Sequence, residues 1–384
     1  MKDICENGKC TGCGACKSIC PKGAIQMLEN PVTGHFQPII DEAICVDCGL
    51  CQKMCPNNAN EVFAEPQKAY AAWRKNALEQ KGSSSGGVAA ALYETAIEHG
   101  YYVVGTCIDE NFLPKMKLTN DIKDVEKFKG SKYVQANSEN VYRDIKKVIL
   151  NGQKILFVGT PCQCAAAKKV VENSENLVTV DLICHGVPSQ KVFKSYLKWI
   201  EQRTNRKITK MSFRSEYGVE MTCFSKDKVI WQRRIKEDYY LSAFNDGMMH
   251  NESCYQCRYA QRERAADLTI GDFWGIGRET PFKGPGRKVS VIAVNTDKGK
   301  ELLQLCNSLE LVERDYDEAV KGNTQLRHSA IMHKDREMFW KTYEEKGIEQ
   351  AFRSTIYREI TDRYIKNQIK RAPKEFVKKI IRRK

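Results

Sequence analysis

Short β-branched and aromatic runs at residues 101–108, 154–158 and 177–183 alternate with alanine-rich or amphipathic stretches at 88–99, 163–171 and 189–202. Each run stops at a small or polar turn: Gly159, Thr160, Pro161 and Cys162 after one, Cys184, His185, Gly186 and Val187 after the next. Strand, short loop and helix in series predict a mostly parallel sheet with both faces covered, and ligands in such folds gather where strands end. Residues 207–236 break that rhythm, with alternating runs at 208–214, 220–225 and 229–234 separated by polar turns. They read as an antiparallel insertion. Further strands are expected at 268–270, leading into Gly-Asp-Phe-Trp-Gly at 271–275, and at 289–294; beyond Asp297 the pattern is mainly helical.

The first sixty residues carry a different signal, an internal repeat. Cys10, Cys13, Cys16 and Cys20 precede Pro21, and Cys45, Cys48, Cys51 and Cys55 precede Pro56, each member of the second set 35 positions after its counterpart. Three thiolates two residues apart wrap one cubane in a tight loop, and the fourth, set back on a following helix, reaches the other cluster. The expected ligands are therefore Cys10, Cys13, Cys16 and Cys55 for one [4Fe-4S] centre, and Cys45, Cys48, Cys51 and Cys20 for the second. Paired zinc sites also use CxxC spacing, but they have no need of a threefold run closed by Cys-Pro. So small a unit buries little surface, so cluster binding must drive its folding.

Composition narrows the setting. A chain of 384 residues with 17 cysteines and no apolar leader at its N-terminus points to a reducing cytoplasm, and accessible clusters favour an anaerobic one. The net charge of +14 is mainly a tail property: residues 353–384 hold twelve basic and three acidic side chains, whereas residues 1–60 hold five and six. That distribution does not make a nucleic-acid binder. In the tail, Ile356, Ile360, Tyr364 and Ile365, then Phe376, Val377, Ile380 and Ile381, follow helical spacing, with Pro373 expected to break the helix between them. Such a helix either packs on the body or makes a peripheral contact with anionic lipid.

Of the other cysteines, Cys254 and Cys257 form a CxxC, and Cys162 and Cys184 each close a predicted strand at one sheet edge. Together they can supply four thiolates to a third cubane. Cys164 rivals Cys162, and His185 could replace one thiolate; Cys5, Cys107, Cys223 and Cys306 read as core packing. One-electron clusters that serve a hydride-exchanging substrate need a converter, and flavin is the usual one. The stretch at 275–280 lacks the third glycine of a dinucleotide fingerprint, so a Rossmann NAD site is disfavoured. Ser-Ser-Ser-Gly-Gly at 83–87, ahead of a helix, reads either as a pyrophosphate cradle or as a plain linker.

Six motifs in order, SSSGGVAAAL, GSKYVQ at 130–135, GTPCQ at 159–163, CHGVPS at 184–189, CYQC at 254–257 and GDFWG, resemble the family of coenzyme F420 hydrogenase/dehydrogenase beta subunits over residues 66–310, behind a bacterial-type two-cluster ferredoxin. The resemblance implies an iron-sulfur flavoprotein with FAD, and makes Cys162, Cys184, Cys254 and Cys257 the third-cluster ligands. It also implies that Ser85, Gly86, Gly87, Lys132, Tyr133 and Asp272 line the FAD site, with Lys132 the catalytic cation that steadies negative charge on the reduced ring. F420 is an open partner in this reading. The expected fold class is α+β and α/β: a ferredoxin domain at 1–62, a mixed, mostly parallel α/β flavoprotein domain in two parts at 66–150 and 151–310, and a helical basic tail at 311–384. The expected function is electron flow from a low-potential donor such as ferredoxin, through the clusters to FAD, and on to a hydride carrier or an organic substrate. The alternative is a non-catalytic electron-transfer subunit of a larger reductase or hydrogenase complex; a zinc-bound interaction module is a third reading.

Overall fold

The structure, a computed structural model, describes residues 3–138 and 140–381, with 372–381 described by backbone alone. It falls into two compact units, Met1–Gln190 with Asn251–Ala330, and Lys191–His250 with Ile331–Lys384.

In the first unit the cysteine repeat is a structural repeat. Gly14 and Gly49, both in the left-handed region at φ 83° and 70°, turn the chain into short helices at Ala15–Ile19 and Leu50–Lys53. A side chain at either position would strain the turn, which is why each run reads Cys-Gly-x-Cys. Strands β1 (Ile25–Glu29) and β2 (Phe36–Ile40) pair antiparallel across the turn at 30–35. Ile4, Cys16, Ile25 and Cys55 are buried together beneath them.

The rest of this unit is one eight-stranded sheet. Its first five strands are β3 (Lys68–Arg74), β4 (Tyr102–Ile108), β5 (Pro114–Thr119), β6 (Ile155–Gly159) and β7 (Leu177–Leu182). Strands β8 (Lys210–Ser215), β9 (Gly218–Ser225) and β10 (Lys228–Arg234) belong to the second unit, and β11 (Leu268–Asp272), β12 (Ser290–Val294) and β13 (Leu309–Arg314) return to complete the sheet. The order is β13-β3-β12-β11-β7-β6-β4-β5. Adjacent strands β11, β7, β6 and β4 are parallel, and two antiparallel steps through β12 give β3 the same direction, so five of the eight point one way. Strands β6 and β12 are buried along their whole length, which explains their unbroken apolar sequences. One face is covered by the helices Val88–Glu98 and Asp297–Leu305, the other by Val141–Leu150 and Pro161–Val170. Edge strand β13 lies in a region expected to be helical. Its pattern, Leu-Glu-Leu-Val-Glu-Arg, buries only Leu309, so its pairing with β3 rests on backbone bonds more than on apolar periodicity.

The second unit packs β10-β9-β8, an antiparallel sheet, with the helices Gln190–Thr204, Tyr239–Asn245, Arg336–Arg353 and Tyr357–Ile381. The last helix runs through Pro373 instead of breaking there. The carbonyl that Pro373 leaves without a donor belongs to exposed Ile369, where water can take the place of the missing bond. No helix among the described residues is long and apolar enough to cross a membrane. At the centre of this unit Asp238 is fully buried, accepting hydrogen bonds from the Tyr196 hydroxyl (2.6 Å), the Trp231 indole (2.8 Å) and the Leu241 amide (2.9 Å). Burial pushes its carboxyl above the usual range, against the pull of those donors. Asp238→Ala strands two aromatic donors and removes a helix cap, so it should destabilise the unit by about 3 kcal/mol, read as a lower denaturation midpoint by tryptophan fluorescence.

Candidate iron-sulfur centres and cofactor loops

The two cysteine sets of the ferredoxin repeat separate in space as crossed pairs. Cys16 is buried and Cys13 half-buried, and desolvation followed by the charges of neighbouring thiolates, Cys10 and Cys55 among them, holds both thiols above their ordinary value. Backbone amides of the tight loops point at the sulfurs: Gly12 at Cys10, Ala15 at Cys13, Lys17 at Cys16, and Asn57 and Asn58 at Cys55. Cys20, Cys45, Cys48 and Cys51 instead line one open pocket, with Ile25, Ile40, Val46 and Leu50 in its apolar wall. Cys48 on its rim is exposed. Buried thiols that must ionise to ligate are held as thiolates only around a cationic core, so this donor chemistry fits a cluster. Among the described residues no three His, Cys, Asp or Glu side chains converge closely enough to hold a single ion. Cys5, expected to be plain packing, stands with its thiol on Cys10 and Cys55.

The third set forms at the sheet edge. Gly159 ends β6, Thr160 caps the Pro161–Val170 helix in a reciprocal box with Gln163, and Pro161 occupies the first turn, which leaves Cys162 at the helix N-terminus. The Thr160 hydroxyl lies 3.2 Å from the Cys162 sulfur. Burial first, then the charges of Cys184, Cys257 and Cys13, hold the Cys162 thiol well above its usual range. Burial likewise lifts Cys184 to about 11, while the Gly186 amide and the Arg264 charge oppose it. The amides of Tyr259 and Ala260 point at Cys257. Cys254 sits one turn earlier, on Glu252–Gln256. Cys164, the rival of Cys162, turns inward and is buried against the Val180 carbonyl on β7. His185 is paired with Gln325.

A buried ion pair holds this edge together. Arg264, 3% exposed, meets Asp181, 1% exposed, at 2.7 Å, and also bonds Thr269 and the carbonyls of Tyr259 and Gln261. Asp181 lies on the strand that delivers Cys184, and Arg264 closes the loop that delivers Cys254 and Cys257.

The ferredoxin loop is bolted to the same edge by residues that motif reading passed over. Gln135, last residue of GSKYVQ, accepts from the Phe36 amide (3.0 Å), donates to the Thr11 carbonyl (3.2 Å) and, by its own amide, to the Pro188 carbonyl (2.8 Å). His35 meets the Val187 carbonyl at 3.0 Å, Asn251 donates to the Cys10 carbonyl at 3.2 Å, and Arg258 donates to the Ala59 carbonyl at 2.8 Å. A methyl on Gly12 would collide with Gln135 and the Phe36 carbonyl, and one on Gly14 with Ser138. These contacts bring Cys13 within electrostatic reach of Cys162, and Tyr142 and Tyr259 within reach of both.

The loops expected at a flavin also meet. Ser84 accepts from the Ser131 amide at 3.0 Å, and Ser85 bonds Ser290, the cross-strand partner of Asp272. Their polar groups are largely turned inward. Gly86 donates to Ser290 (2.9 Å) and lies so close to the Ala72 carbonyl that a Cβ would collide; Gly87, at φ 82°, packs on Arg74, itself paired with Glu79 and Glu94. The Lys132 ammonium caps a short helix, Val125–Phe128, through the carbonyls of Phe128 (2.7 Å) and Lys129 (3.0 Å). Burial lowers it to about 8. Tyr133 follows on the same loop. With Gly86 and Lys132 bonded to protein partners, these residues do not present a ready cradle for a flavin.

The crossed cysteine sets are those of an iron-sulfur protein. The chain belongs to the family of coenzyme F420 hydrogenase/dehydrogenase beta subunits: residues 69–142 match the N-terminal part of that family and residues 152–318 its C-terminal part, behind a "4Fe-4S dicluster domain" at 9–59. It is 26% identical over 246 residues to a subunit of the F(420)H(2) dehydrogenase of Methanosarcina mazei, a match covering 56% of this chain and 64% of that relative's length. A chain of the F420-reducing [NiFe] hydrogenase complex from Methanosarcina barkeri is similar over 77% of this chain and 94% of its own, at 17% identity and a TM-score of 0.46.

Arg264→Met leaves Asp181 as a buried, unpaired carboxyl. It should lower stability by about 3–5 kcal/mol, read as a lower midpoint in chemical denaturation.

Proposed function

We propose that this chain is an iron-sulfur electron-transfer subunit that exchanges electrons with a hydride carrier and with partner chains of a larger oxidoreductase. The observation that supports this reading best is the set of polar clamps from Gln135, His35, Asn251 and Arg258 that hold the ferredoxin loop, with Cys13, against the sheet edge that carries Cys162. In this reading Cys20, Cys45, Cys48 and Cys51 hold the outer cluster, where the exposed rim at Cys48 lets a donor approach. Cys10, Cys13, Cys16 and Cys55 hold the inner cluster, and Cys162, Cys184, Cys254 and Cys257 hold a third. The clusters supply one-electron transfer; the chain supplies their spacing, their amide donors and the exclusion of water. The relative from Methanosarcina mazei is named for F420H2 and as one subunit among others, which supports a deazaflavin as the hydride carrier and an assembly as the setting.

FAD at the meeting of the 83–87 and 130–133 loops is the finer reading, supported by their convergence beside Asp272. There Lys132 would first have to release its helix carbonyls before it could face a flavin. Reoxidation of such a flavin by an organic substrate, with no partner chain present, would favour a self-sufficient reductase over a subunit. In the tail, exposed Ile365 and Ile369 beside Lys366 and Lys370 support a peripheral contact with anionic lipid, which vesicle sedimentation of the full chain and of a chain ending at residue 352 would test; equal sedimentation removes the idea.

Anaerobically reconstituted protein should hold about twelve irons, and Cys257→Ser about eight, with one electron-spin-resonance signal lost and the ferredoxin signals kept. Loss of a ferredoxin signal instead, or no loss at all, overturns the ligand set. Reduced F420 should bleach the visible absorbance of the fully loaded protein; no bleaching with iron and flavin both present removes the deazaflavin reading.

A further inference from the structure

On the loop that delivers Cys257 stands a buried hydroxyl with no hydrogen-bond partner among the described residues. Tyr259 is 4% exposed, and its phenolic oxygen is buried with no hydrogen-bond partner among the described residues. A buried hydroxyl without a partner forfeits roughly 1–3 kcal/mol, and tyrosine normally avoids this when buried. Phenylalanine would fill the same space without that penalty. Phe63 lies 5.9 Å from the ring and the Arg258 guanidinium 6.0 Å over its face, while the backbone is held by Arg264, which donates to the Tyr259 carbonyl at 2.8 Å, and by the amide that points at Cys257. It is two residues past the CxxC, so the loop that delivers Cys257 also aims the phenol. Thiolate charge on Cys162 and on Cys13 bears on the phenol, that on Cys162 more strongly.

Tyr142 provides the contrast. It is buried beside the same thiols, but its hydroxyl is already spent on the Gln163 carbonyl at 3.4 Å. Of the two tyrosines, only Tyr259 has a proton left to give.

We propose that Tyr259 is a positioning residue of the relay: its hydroxyl donates to a sulfur at the Cys162 corner of the third cluster and so raises the reduction potential of that cluster relative to its ferredoxin neighbour. Hydrogen bonds to cluster sulfur stabilise the more negative, reduced state, and removing one lowers the potential. No bond is made or broken, and the phenol keeps its proton. The inference rests on the reading that Cys162, Cys184, Cys254 and Cys257 hold a cluster.

The test is an anaerobic redox titration of the full, iron-loaded chain followed by electron spin resonance, with Cys257→Ser identifying which signal belongs to the third set. Tyr259→Phe should keep all irons and lower the third cluster's midpoint alone, shifting its oxidised-to-reduced ratio at a fixed potential about threefold to tenfold, where tenfold corresponds to about 59 mV for one electron. Tyr142→Phe should move no midpoint. Three unshifted midpoints in Tyr259→Phe, or a shift confined to a ferredoxin cluster, overturn the proposal. Should Cys257→Ser lose no signal, the third-cluster reading fails instead, and the two failures are told apart.

Discussion

Sulfur taken out of water is the constraint around which the first unit is built. A thiol in a low-dielectric interior resists ionising, and Cys13, Cys16, Cys162 and Cys184 are all held above their ordinary range by burial before any other influence. Ligation needs the thiolate, so these sites need compensating positive charge and donors. The chain supplies the donors: amides of Gly12, Ala15, Lys17, Gly186, Tyr259 and Ala260 point at sulfur, and tight glycine-bearing turns set their direction. At the ferredoxin repeat the missing positive charge is what an iron-sulfur core brings.

Distance is the second constraint, and it is met by polar clamps more than by an apolar interface. Gln135, His35, Asn251 and Arg258 tie ferredoxin backbone to the sheet edge through carbonyls and amides, which fixes direction as well as separation. The Arg264–Asp181 pair works from the other side, locking the CxxC loop to the strand that ends at Cys184. A buried pair of this kind contributes less to net stability than to geometry, since two charges had to leave water to form it. Here that geometry sets where three cysteines stand.

The glycine-rich loop at 83–87 follows another logic. Its small residues let backbone crowd backbone: Gly86 lies against Ala72, and Gly87 against the Arg74 side chain, with its two glutamates. Close approach accounts for the glycines without a bound phosphate.

Much of this was legible along the chain. The doubled cysteine spacing, the glycine in each turn, and the β6 and β7 strands that run into Cys162 and Cys184 are local patterns, written over a handful of neighbouring residues, where propensity and metal-ligand spacing act directly. The antiparallel insertion was legible for the same reason. Strand β13 was not, because an edge strand half in solvent needs no apolar alternation, and neither was the continuous helix through Pro373, which depends on solvent reaching Ile369. Only the tertiary structure decided that Cys162 and not Cys164 faces Cys184 and Cys257, that Lys132 spends its charge on a helix end, and that Gln135 and Tyr259 stand where ferredoxin meets sheet. Each depends on groups tens to hundreds of residues apart meeting in one low-dielectric space, and neither spacing nor composition along a chain encodes which way a side chain turns when its partners arrive from elsewhere.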